Sequence, residues 1–164
     1  MRALREALGQ FATGVAVITT VTPEGERAGV TVNSFTSVSL DPPLVLWCLA
    51  DRAPSARVFL RAGRFAVNVL AAGQDDLSRR FSTPARDKFD GVALLPTPSG
   101  LPVLAGALAG FACRTVRTYD GGDHRIFVGQ VEHYERTAGE PLVFHSGRYR
   151  ELYAHARHND SLVV

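Results

Sequence analysis

Thr31-Val32-Asn33-Ser34-Phe35-Thr36-Ser37-Val38-Ser39-Leu40-Asp41-Pro42-Pro43-Leu44-Val45-Leu46 sets a dense row of hydroxyl and amide side chains directly before an apolar run. In an extended strand Thr31 and Asn33 share one face, while Val30 and Val32 share the other. Regular structure is expected to end near Ser34, after which Ser37 and Ser39 point one way and Val38 and Leu40 the other. Pro42-Pro43 forbids a central strand at that point, because proline cannot donate to a ladder. Leu44 to Leu49 then reads as a nearly continuous buried strand. The polar row is either the outer face of an edge strand or the wall of a site for a flat heteroaromatic ligand. The edge of such a ligand demands mixed donors and acceptors.

Working outward, Leu4, Leu8 and Phe11 lie at helical spacing and predict a short amphipathic helix, broken by Gly14. Val15 to Val21 reads as a strand, Pro23-Glu24-Gly25-Glu26 as a turn, and Arg27 to Asn33 as the returning strand of a hairpin. Ser55 to Ala62 reads as a helix capped by Ser55 and stopped by Gly63. Phe65 to Leu70 is another strand and Gln74 to Phe81 another helix. Pro84 to Asp90 is expected to be irregular, anchored by Phe89, and Pro96 to Pro102 is a loop. Two long extended runs, Ala107 to Tyr119 and His124 to Arg136, are joined by the turn Asp120-Gly121-Gly122-Asp123. Leu142 to His145 is a last short strand. Roughly seven or eight strands with a few short helices predict a mainly β fold, an antiparallel barrel with helical decoration. A Rossmann site is disfavoured, because strand–helix alternation and Gly-x-Gly-x-x-Gly are both missing.

The 164 residues suggest one domain, 1–164, with an ordinary apolar fraction of 46%. A net charge of +2 from scattered basic residues argues against a nucleic-acid partner. Cys48 and Cys113 sit in apolar stretches, match no zinc spacing and are expected as buried free thiols, in keeping with a reducing cytoplasm. The first apolar run, Val15 to Val21, is short and interrupted by threonines, so neither a signal peptide nor a membrane span is expected.

Three further places carry chemistry. Ser55, with Arg52 and Arg57 nearby, is either a plain helix cap or an anion site. Gly121-Gly122-Asp123-His124 is either a plain glycine turn or a turn that brings His124 to a pocket mouth, with Asp123 setting its tautomer. Tyr149, after the turn-forming Gly147, either anchors the C-terminal segment or packs on a ligand. His133, His145, His155 and His158 show no metal spacing and are expected to be exposed.

Several stretches together resemble the flavin reductase family, the small enzymes that use NADH or NADPH to reduce FMN or FAD. They are Gly14-Val15, Asn33 through Pro43, Phe65 through Leu70 with Gln74, Leu77, Ser78 and Phe81, Gly122-Asp123-His124 with Val128-Gly129, and Pro141-Leu142 with Gly147-Arg148-Tyr149. The likeness runs from about Leu8 to Tyr149. It implies a split β-barrel of the FMN-binding type, a homodimer with flavin near the subunit interface, and release of reduced flavin to a separate oxygenase. It places Thr31, Asn33, Ser34, Ser37 and Ser39, with Val38 and Ala50, near the isoalloxazine ring and ribityl chain. Ser55 falls at the phosphate, Phe81 and Lys88 near the flavin tail, Tyr149 against the cofactor, and Asp123-His124 at the nicotinamide. Relatives often carry a second Ser or Thr just before the Ser55 position; here the loop reads Ala53-Pro54. The sequence leaves open a flavoprotein that reduces another acceptor, or a flavin- or haem-binding module of the same fold. It also leaves open FMN against FAD and NADH against NADPH.

Overall fold

The computed structural model describes residues 2–153; His155 and His158 lie outside them. The Val15–Val21 alternation becomes β2 (Ala16–Val21), preceded by the helix α1 (Arg2–Leu8) and the short β1 (Thr13–Gly14). β2 is buried on both faces, as a run in which both alternating sets are apolar or threonine requires. β3 (Arg27–Val32) pairs with it, and β4 (Thr36–Leu40) follows the predicted break at Ser34. Next come β5 (Pro43–Ala50), α2 (Ala56–Ala62), β6 (Arg64–Val69), α3 (Asp75–Ser82), the short β7 (Leu94–Leu95) and β8 (Val103–Leu104). The long β9 (Ala109–Gly121) and β10 (His124–Arg136) form the expected hairpin, with Gly122 at φ 77° in its turn. β11 (Val143–His145) and β12 (Arg148–Arg150) close the order; β12 was not foreseen, and Ser146 and Gly147 at positive φ turn one into the other.

The main sheet has seven strands in the order β3-β2-β6-β9-β10-β5-β4, every neighbouring pair antiparallel. It is a mainly β structure, as the strand pattern predicted. β5 corrects the reading of a continuously buried strand: Val45, Trp47 and Leu49 point inward, while Leu44, Leu46, Cys48 and Ala50 are half-buried on the other face. Cys48 is therefore not a core thiol. Cys113 is, and burial pushes its pKa up to about 12.

The barrel core stacks Trp47 on Phe127 at 4.6 Å and sets Phe59 and Phe65 edge-on against Trp47. A second cluster holds Phe81 and Phe89 with Leu70 and Leu142, so α3 and the segment after it are fastened to one end of β3. Asn68 ties this region together from inside β6. Its amide donates to the Val17 carbonyl and accepts from the Leu104 backbone N–H, so a fully buried polar group is satisfied. α1 departs from expectation: Leu4, Leu8 and Phe11 are all exposed, and the helix buries none of its residues.

Gly129 sits where a Cβ would lie 2.3 Å from the Phe65 ring and 3.0 Å from Cys113. Gly129→Ala should therefore destabilise the fold by about 1–3 kcal/mol through overpacking. Urea unfolding should show a lower midpoint at unchanged slope; an unshifted midpoint would contradict this packing.

Candidate active site in the split between β3 and β5

β3 begins a sheet that β5 nearly rejoins, yet no ladder connects the two strands. Ser34 bridges the gap at one end. Its hydroxyl accepts from the Cys48 backbone N–H (2.9 Å) and donates to the Cys48 carbonyl (3.3 Å). These bonds stand in for a missing rung of the sheet. Beside the clasp the strands part around a cavity of about 310 Å³, with Thr31 and Asn33 on one wall and Cys48, Ala50 and His124 on the other.

His124 opens β10 and pairs in register with Ala50, which places its ring at the mouth of the slot. Its Nδ1 lies 2.6 Å from Asp123 Oδ1. This hydrogen bond, reinforced by the charge of the imidazolium form, holds the Asp123 carboxyl below the usual carboxylate range. With Asp123 ionised and accepting at Nδ1, Nε2 is the nitrogen left for a ligand.

Val30 and Ala53 are shared with a second cavity of about 330 Å³, lined by Ser55, Phe81 and Lys88 among others. Ser55 stands at the N-cap position but corrects the expected cap: its backbone is already helical and its side chain makes no capping bond. The Ala53-Pro54 loop adds no second hydroxyl to this wall. Lys88 donates to the Phe81 (2.7 Å) and Gly29 (3.2 Å) carbonyls, and burial lowers its pKa. The arrangement depends on Gly29, where a Cβ would lie 2.5 Å from the Phe81 ring.

A third cavity, about 280 Å³, lies on the far side of Thr31 and Asn33 and is lined by Ser78, Phe144 and Tyr149. The Tyr149 hydroxyl donates to Ser78 Oγ (2.8 Å), and Thr31 Oγ1 donates to the Ser78 carbonyl (2.6 Å). Ser78 is a lining residue that the sequence reading does not assign to a site, although its i, i+3 spacing to the buried Phe81 marks the inward face of α3. Ser37, Val38 and Ser39 stand apart. They occupy the edge strand β4 and line none of these cavities. His133 is exposed, His145 is half-buried in β11, and no metal-holding cluster occurs among the described residues.

Residues 8–153 match the family described as flavin reductase like domain. The chain belongs to the flavin reductase family. It is 48% identical over 148 residues to the FMN reductase (NADH) SmoA of Agrobacterium fabrum, covering 90% of this chain and 84% of that one. It is 40% identical to HsaB of Mycobacterium tuberculosis, the reductase subunit of a flavin-dependent monooxygenase, over 90% and 80% of the two chains. The NADH:FAD oxidoreductase SgcE6 of Streptomyces globisporus C-1027, solved with NAD and FAD fragments, superposes with a TM-score of 0.89. Identity there is 42%, over 94% of this chain and 93% of that one. A solved chain from Sinorhizobium meliloti 1021 has a TM-score of 0.87, but this chain spans only 52% of its length.

Removing the clasp tests the geometry of the slot. Ser34→Ala leaves the Cys48 N–H without its partner and should cost about 1–3 kcal/mol of stability. Thermal unfolding measures this directly; an unchanged melting temperature would deny the clasp any structural role.

Proposed function

We propose that this chain is an NAD(P)H:flavin oxidoreductase that binds FMN or FAD in the split between β3 and β5. The observation that carries this reading is that the slot and the tail cavity adjoin at Val30 and Ala53, which line both. Such a groove suits a planar head with a charged tail. Polar groups of both kinds, from Thr31, Asn33 and Ala50 backbone to His124, fit the edge of an isoalloxazine. Ser55 and Lys88 fit its phosphate end.

Bound flavin would supply a hydride acceptor at N5, and the nicotinamide C4 a hydride, leaving oxidised nicotinamide and reduced flavin. The protein's own contribution is placement. Thr31 is held by its bond to the Ser78 carbonyl, so the β3 wall does not need to reorganise when a ring enters. His124 presents Nε2 to the slot mouth, where it orients the nicotinamide carboxamide and supports charge on the reduced ring. No proton transfer is assigned to it.

Reduced flavin then leaves for a separate monooxygenase, a reading supported by the kinship to HsaB. A homodimer belongs to the same proposal: β4 leaves one edge of the main sheet unpaired, with Val38 and Leu40 exposed on it. A second copy seated there would also bring Ser37 and Ser39 toward a flavin. A cytoplasmic location is consistent with the two free thiols. No helix among the described residues is long and apolar enough to cross a membrane.

Loss of NADH absorbance should be fast only when FMN or FAD is added; no flavin-dependent loss with either nicotinamide would reject the reductase and favour a binding module. His124→Ala should raise the KM for NADH about three- to tenfold, as loss of one hydrogen bond does, and disturb flavin affinity less. Asn33→Ala should weaken flavin binding by a similar factor, measured by fluorescence titration. Unaltered titration curves would remove Asn33 from the flavin site.

A further inference from the structure

The tail cavity is larger than a terminal phosphate needs. At about 330 Å³ it reaches, by itself, the size range of small-molecule sites. Its two best-fixed cations are of different kinds. Lys88 has no carboxylate partner among the described residues; two backbone carbonyls fix its ammonium, and a third N–H is left for an anion. Arg27 has its charge offset by Asp87, 3.5 Å away, and its guanidinium lies 4.9 Å from the centroid of the Phe89 ring. Its side chain is nevertheless 42% exposed, and it lines the same cavity. A planar, charge-compensated group backed by an aromatic ring serves poorly as an anion clamp and well as a stacking plate.

Building on the flavin reading above, we infer that the chain prefers FAD to FMN and that Arg27 sets the preference, its guanidinium stacking on the adenine while Lys88 meets the pyrophosphate. A ring lodged in the slot directs its tail past Ala53 and Ser55 toward Lys88. FMN ends there and leaves Arg27 uncovered. FAD continues, and its adenine is the flat, electron-rich partner that the plate accepts. Asp87 makes the selection one of shape, because the net charge beyond Lys88 is small.

Fluorescence titration of the full chain with FMN and with FAD tests this. FAD should bind more tightly, and Arg27→Ala should weaken FAD about five- to thirty-fold more than it weakens FMN, as expected for a lost stacking contact. Arg27→Lys keeps the charge but not the plane and should behave like the alanine variant. Equal affinities in the unmodified chain would overturn the preference. Parallel losses for both flavins, full rescue by lysine, or a raised KM for NADH with FAD affinity intact would overturn the role of Arg27. Failure of the unmodified, folded chain to bind either flavin would instead overturn the reductase reading on which this one rests.

Discussion

Two strands that should meet in a closed barrel, β3 and β5, share no ladder; among the described residues the hydrogen bonds across the gap come from the Ser34 hydroxyl just after β3, beside the common packing of Val32, Val45 and Trp47. Every other neighbour in the main sheet is joined by a backbone ladder. A full ladder here would seal the barrel and leave no slot. With no clasp, the Cys48 backbone N–H would lose its partner, and β3 would be held by its ladder to β2 and by core packing alone. One side chain that accepts from and donates to the same residue keeps the strands in register while leaving space beside them. The slot follows from that partial closure, while His124 is placed at its mouth by the β5–β10 register and by Asp123.

The surroundings make the gap rigid. Phe81 and Phe89 lock α3 and the following segment against the end of β3, which is possible only because residue 29 carries no Cβ. Lys88 donates to the backbone on both sides of that contact, so an aromatic anchor and a cation are fixed by the same packing. On the opposite side, Tyr149 and Thr31 both bind Ser78, which couples the C-terminal hairpin to β3 through one helical residue. The walls of the groove are thus parts of the scaffold, which favours a preorganised site over one assembled around its ligand.

The polar row that opens the chain's most distinctive segment divides in the structure. Thr31, Asn33 and Ser34 belong to the split, two of them with hydroxyls already engaged by backbone groups. Ser37, Val38 and Ser39 lie beyond the bend on an edge strand. Period-two alternation could not separate these groups, because it reports which face a residue occupies and not which strand lies across from it. The same limit made β5 look buried throughout: its second face is apolar yet half-buried, with Cys48 and Ala50 lining the slot, and sequence alone reads that face as core.

Local physics was enough to place the helices, the longer strands and the break at Ser34, since periodicity, glycine turns and prolines act within a few residues, but not the short strands β4, β7, β8 and β12. The residues themselves singled out Asn33, Ser55 and Asp123-His124 as candidates for a site, and the family resemblance added Lys88. Tertiary structure alone decided that β3 and β5 fail to pair, that Ser34 clasps them, that Ser55 does not cap its helix and that Arg27 lies over Phe89. Those outcomes join residues from Ser34 with Cys48 to Arg27 with Phe89, and such contacts depend on how strands curve in space and on which volumes remain unfilled.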